Sequence, residues 1–85
     1  MQRDKNGHRY CEVENIRITY VPATDRSPNA DWSGHDVIRI QAYRGNRDKS
    51  LHRGAELPIS SPEILETLFA AIRQVYNVGR AGRNE

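Results

Sequence analysis

The sequence predicts an α+β domain, a curved antiparallel β-sheet of three to four strands packed by one C-terminal α-helix. Three observations predict it. Residues 13–21 (VENIRITYV) and 36–44 (DVIRIQAYR) alternate apolar and polar side chains with the period of two that a half-buried strand needs. Residues 51–59 (LHRGAELPI) resume that alternation directly after a short polar turn. The last third of the chain changes to the 3.6-residue period of an amphipathic helix.

The opening residues, MQRDKNG, are polar and end in an Asn-Gly turn signal, so they read as a flexible lead-in, with order beginning near His8 and a short extra strand at Arg9 to Glu12. In the strand from Val13 to Val21, Ile16, Ile18 and Tyr20 share one face, and Tyr20 is taken as core. Arg17, Thr19 and Val21 share the other. Residues 22–36, PATDRSPNADWSGHD, are rich in residues that break ladders or supply turns, and they predict a loop unusually long for so small a domain. Trp32 is the only tryptophan in the chain, and its large burial energy favours folding back to cap the edge of the core.

The next strand, Asp36 to Arg44, sets Ile38, Ile40 and Ala42 against Val37, Arg39, Gln41 and Tyr43. GNRDKS makes the turn, and the third strand points Ala55, Leu57 and Ile59 inward and His52, Gly54 and Glu56 outward. Pro58 lacks a backbone donor, which places it at a sheet edge or where pairing ends. For the helix, Ser60 or Ser61 offers an N-cap, Pro62 suits the first turn and Glu63 complements the positive end of the dipole. Ile64, Leu65, Leu68, Phe69, Ile72, Val75 and Tyr76 form its apolar side, expected to cover the sheet. Gly79 is the expected stop, leaving residues 80–85 as a flexible tail and residues 8–79 as the ordered part of a single domain.

With 85 residues, 36% of them hydrophobic, and a mean hydropathy of -0.83, the chain supports one small core of marginal stability, which a second copy would usefully complete; a homodimer is expected. No stretch has the length of a membrane span or the pattern of a secretory signal, so a soluble, cytoplasmic protein without membrane contact is expected. Cys11 is the only cysteine, which excludes an intrachain disulfide and a cysteine cluster for metal. His8, His35 and His52 lack the paired short spacings of a zinc site. No nucleophile elbow and no phosphate-cradling glycine loop is present, so neither an enzyme nor a cofactor is predicted.

The net charge of +2 says little, but its distribution is uneven. Arg39, Arg44, Arg47, Lys49 and Arg53 face a single acid, Asp48, between positions 39 and 53, a local balance of +4. Arginine outnumbers lysine eleven to two, and arginine suits bidentate phosphate contact and stacking on flat rings. One reading makes this turn a solvated hairpin tip whose charges deter unwanted strand pairing. The other has Arg44, Arg47, Lys49 and Arg53 contact phosphates, with Arg17, Arg39 and Tyr43 spread over the outer sheet face, as in proteins that grip single-stranded nucleic acid without reading its sequence.

The pieces IRIQAYR, HRGAELPIS and SPEILETL, spanning residues 38–68, resemble the C-terminal half of the transcriptional positive cofactor four family of single-stranded-DNA-binding coactivators. IRITYV would match an earlier strand of that family's sheet. The resemblance covers about half the chain, the loop at 22–36 is longer than the family's turn, and the tryptophan often found in the family's helix is missing. It implies a dimer joined partly through the helices, with Arg39, Tyr43, Arg44 and Arg53 on or beside a channel for single-stranded DNA, and a part in transcription regulation. The rival expectation is a protein-binding inhibitor or adaptor of the phage or mobile-element kind, contacting its partner through Trp32, Asp31 and Asp36 of the long loop.

Overall fold

The computed structural model describes residues 1–45 and 50–82. Five strands, β1 (Gln2–Arg3), β2 (Arg9–Val13), β3 (Ile16–Val21), β4 (Asp36–Ala42) and β5 (Ala55–Ile59), precede one helix, α1 (Pro62–Gly82). A short 3-10 turn at Ala23–Asp25 follows β3. The strands form one sheet in the order β1-β2-β3-β4-β5, antiparallel throughout. The α+β class is as expected, with five strands in place of three to four.

The short strand expected at Arg9 to Glu12 is present as β2, and the added strand, β1, lies before it at the N-terminus. The supposed lead-in is one arm of a hairpin, because the Asp4 carboxylate accepts the backbone N–H groups of Asn6 and His8 at 2.9 Å and Gly7 adopts φ 85°. Residues 13–21 are not one strand either. Glu14 takes a left-handed conformation at φ 57°, and a two-residue turn at 14–15 divides the stretch so that Val13 pairs with Ile16. The adjacent polar pair Glu14 and Asn15 breaks the alternation there, and it is the signal of the turn that the reading of 13–21 as one strand passes over.

The register puts Arg17 opposite Gln41, Thr19 opposite Arg39 and Val21 opposite Val37 on one face, here the Arg17 face. Ile16, Ile18 and Tyr20 oppose Ala42, Ile40 and Ile38 on the other, the Ile18 face. The sequence suggests that the Ile18 face should be the buried one. The structure does the reverse: among the described residues, the buried side chains are Val37, Val21 and Thr19, all on the Arg17 face. The loop after β3 lies over them. Arg26 carries it there, with a side chain only 4% exposed whose Nη1 donates to Glu56 Oε2 at 2.9 Å and whose Nη2 donates to the Asp31 carbonyl. His8 adds a second tie through Nε2 to Asp25 Oδ2 at 3.0 Å.

Helix α1 begins as expected, with Ser61 Oγ accepting the Ile64 N–H at 3.3 Å and Pro62 as its first residue. It does not cover the sheet. No residue of α1 is buried, and its side chains from Phe69 onward are all exposed. Its main contact with the sheet is with β5, and Leu65 shares a shallow hollow with Tyr20 of β3, Ile38 of β4 and Ile59 of β5. The Cα radius of gyration, 15.0 Å, exceeds the roughly 12 Å of a compact chain of this length, as a projecting helix requires. Gly79 does not stop the helix, which continues to Gly82; neither glycine takes the positive φ of a helix-ending cap. No described helix is long and apolar enough to cross a membrane.

Candidate nucleic-acid interface

The site begins with an irregularity in the third predicted strand. Only Ala55–Ile59 of the stretch 51–59 joins β5; Leu51 forms an isolated bridge to Tyr43, and residues 52–54 leave the ladder. Gly54 is the cause, with φ 75° and so little room that a Cβ would lie 2.2 Å from the Ile40 carbonyl oxygen. Only glycine permits that approach. The neighbouring strand follows it closely, since the His52 N–H donates to the Ala42 carbonyl at 2.7 Å and Gln41 Nε2 donates to the His52 carbonyl at 3.2 Å. The displaced backbone sets Arg53 beside the Arg17 face instead of along the strand edge.

There it lines a cleft of about 450 Å³ with Asp31, Trp32, Arg39, Gln41 and Glu56, a volume within the range of ligand sites. Residues that the sequence assigns to rival surfaces, Arg39 and Arg53 on one side and Trp32 and Asp31 on the other, therefore share one wall. Trp32 does not cap the core. It is 49% exposed, and its backbone is left-handed at φ 58°, unusual for a bulky residue and characteristic of strained functional loops. The turn it opens closes with a bond from the His35 N–H to the Trp32 carbonyl at 2.9 Å.

Charge in the cleft is partly compensated. Arg39 donates Nε (3.0 Å) and Nη2 (2.8 Å) to Glu56 Oε2, the oxygen that Arg26 also holds. The hydrogen bond from Arg26, helped by Arg39 and opposed by burial, keeps the Glu56 carboxyl below the ordinary glutamate range. Two guanidinium groups on one carboxylate leave that cluster positive, while the cleft lining itself balances Arg39 and Arg53 against Glu56 and Asp31. Among the described residues, Arg53 and Arg44 are exposed and form no ion pair, so their charge is available.

Arg17 and Tyr43 are also brought together, but on each other. Arg17 Nη2 donates to the Tyr43 hydroxyl at 2.8 Å, its guanidinium sits 4.0 Å above the Tyr10 ring, and Glu12 Oε2 lies 3.7 Å from Nε. This cation–aromatic packing commits Arg17 to the sheet. Tyr10 and Gln41 are missed by the sequence reading; their alternation with Glu12 and with Arg39 and Tyr43 is the available signal. Asp36 separates from the rest of its group. It lies on the Ile18 face, where Oδ2 accepts the Tyr20 hydroxyl at 2.7 Å and Oδ1 the Ala23 N–H at 2.8 Å, and those bonds hold its pKa below the ordinary aspartate value. Tyr20 is consequently 43% exposed rather than core. Arg47 and Lys49 lie outside the described residues.

No protein-family model, no curated protein and no solved structure matches this chain.

Proposed function

We propose that this protein binds single-stranded nucleic acid, most simply single-stranded DNA, with little sequence specificity. A base stacks on Trp32 in the cleft and Arg53 takes a flanking phosphate, while Arg44 adds exposed positive charge to the same protein. What carries the reading is the convergence of a half-exposed indole and the unpaired Arg53 on one cleft, since a flat ring beside a cation matches a nucleotide's base and phosphate together. Arg39, pinned by Glu56, contributes the wall of the cleft more than free charge. The resemblance to single-stranded-DNA-binding coactivators points the same way, through Arg39, Tyr43, Arg44 and Arg53.

Trp32 is the only tryptophan, so its fluorescence reports base contact directly. Titration with an oligo-dT at low and at moderate salt is expected to quench it, with affinity falling steeply as salt rises. Unchanged fluorescence together with unchanged anisotropy of a labelled oligo-dT at low salt removes the proposal.

The protein-binding inhibitor or adaptor reading keeps one specific support, the outward display of Trp32 by a strained backbone within a polar rim. It requires Trp32 and Asp31 but not the arginines. Replacing Arg44 and Arg53 by alanine therefore separates the two, abolishing the oligo-dT signal under the first reading and leaving partner binding intact under the second.

A further inference from the structure

The cleft beside Trp32 carries more than a grip on phosphate needs. Its lining sets two carboxylates, Asp31 and Glu56, among the arginines, and carboxylates repel a phosphate backbone. Glu56 is accounted for by the bonds that hold Arg26 and Arg39. Asp31 is not. Its backbone carbonyl receives Arg26, but its exposed side chain holds no hydrogen bond or ion pair among the described residues. Arg53 is unpaired in the same cleft, so an acid and a base share it without meeting.

We propose that these groups read the base that stacks on Trp32, and that the base they favour is guanine. The inference rests on the single-strand reading above and adds one preferred position to an otherwise indifferent strand. With Arg53 on a phosphate, the spare capacity of the cleft is mostly acceptor. The Asp31 carboxylate is free. All three arginine bonds to Glu56 fall on Oε2, which leaves Oε1, and Gln41, whose Nε2 donates to the His52 carbonyl, keeps its own Oε1. Arg39, with Nε and Nη2 held by Glu56, has Nη1 left to donate.

Guanine answers this set most fully. Its N1–H and N2 amino group put donors side by side on one edge, a match for a carboxylate that accepts with both oxygens, and O6 and N7 next to them accept from an arginine. Adenine and cytosine each bring an amino group but no neighbouring N–H. Thymine brings a lone N–H between two carbonyls, which an acidic wall repels. A cleft that served phosphate alone would gain from losing Asp31, whereas a cleft that reads guanine needs it.

Competition tests this: a labelled oligo-dT is displaced by unlabelled thymidine pentamers whose central base is thymine, cytosine, adenine, guanine or hypoxanthine, read by anisotropy. The guanine pentamer is expected to bind at least about fivefold more tightly than the all-thymine one, with hypoxanthine, which lacks the N2 amino group, between them. Asp31→Asn is expected to bring the guanine-to-thymine ratio below about twofold, while the all-thymine pentamer binds as before or more tightly. The side chain is exposed and without a partner, so the thermal midpoint of the variant should not move. Equal displacement by all the pentamers overturns the base preference and leaves strand binding standing. A preference that survives Asp31→Asn, with every pentamer gaining alike, means that Asp31 only repels phosphate, and the proposal falls. Free deoxyguanosine monophosphate competing as well as the guanine pentamer overturns the placement within a strand. Absence of any signal from the labelled oligo-dT removes the strand reading itself and the inference with it.

Discussion

Arg26 and Glu56, thirty residues apart, meet through a 2.9 Å bond in which the arginine is almost wholly buried. The pair fastens the long loop to β5, and it also draws Arg39 onto the same carboxylate oxygen.

Glu56→Gln is therefore expected to act in two directions. It strands the charge of Arg26 in a buried position and lowers stability by about 2 kcal/mol, read by urea denaturation. It also releases Arg39, so binding of oligo-dT tightens and its salt dependence steepens. Tighter binding by a less stable variant has no explanation in damage to the fold alone.

The same carboxylate sets an acid limit. Its pKa is depressed in the folded chain, so its contribution is fully present above the ordinary glutamate value of about 4.3 and is lost as pH falls through the lower folded value. Stability measured between pH 7 and pH 3 is expected to fall in that lower window, and Glu56→Gln to show a smaller fall there.

Gly54→Ala is expected to destabilise by about 3 kcal/mol, since the new Cβ meets both a positive φ and a backbone carbonyl that has little freedom to move. Denaturant unfolding checks this. Oligo-dT affinity should fall with it, because the displaced backbone is what brings Arg53 to the cleft.

Trp32→Ala is expected to weaken oligo-dT binding about 5- to 100-fold, the usual worth of one stacked base, with a stability change of about 1 kcal/mol or less. Arg44→Ala and Arg53→Ala should each flatten the slope of log affinity against log salt by roughly 0.7. Anisotropy titrations at several salt concentrations distinguish these two kinds of loss.

Much of the fold is legible in the sequence because its signals are local. Ile16, Ile18, Ile38 and Ile40 alternate, Ser61 and Pro62 open the helix, and Pro58 does sit in an edge strand. What cannot be read is which sheet face receives a cover. Alternation defines two faces and ranks them by polarity, yet a loop tied down by a distant ion pair reverses that ranking. The cleft is half legible for the same reason. Arg39, Arg53 and Trp32 stand out singly, whereas their meeting depends on the close approach of Gly54 to Ile40 and on where Arg26 anchors the loop. The first arm of the N-terminal hairpin, β1, is missed because Asp4 closes the turn with a side chain that has the look of ordinary tail polarity.

Pro58 and the two-residue length of β1 bear on how far such a chain can assemble. One rim of the sheet has a gap where a donor should be, and the other offers barely a rung, so further strands find poor purchase at either end. Growth into fibrils by adding copies side by side is therefore disfavoured at both edges.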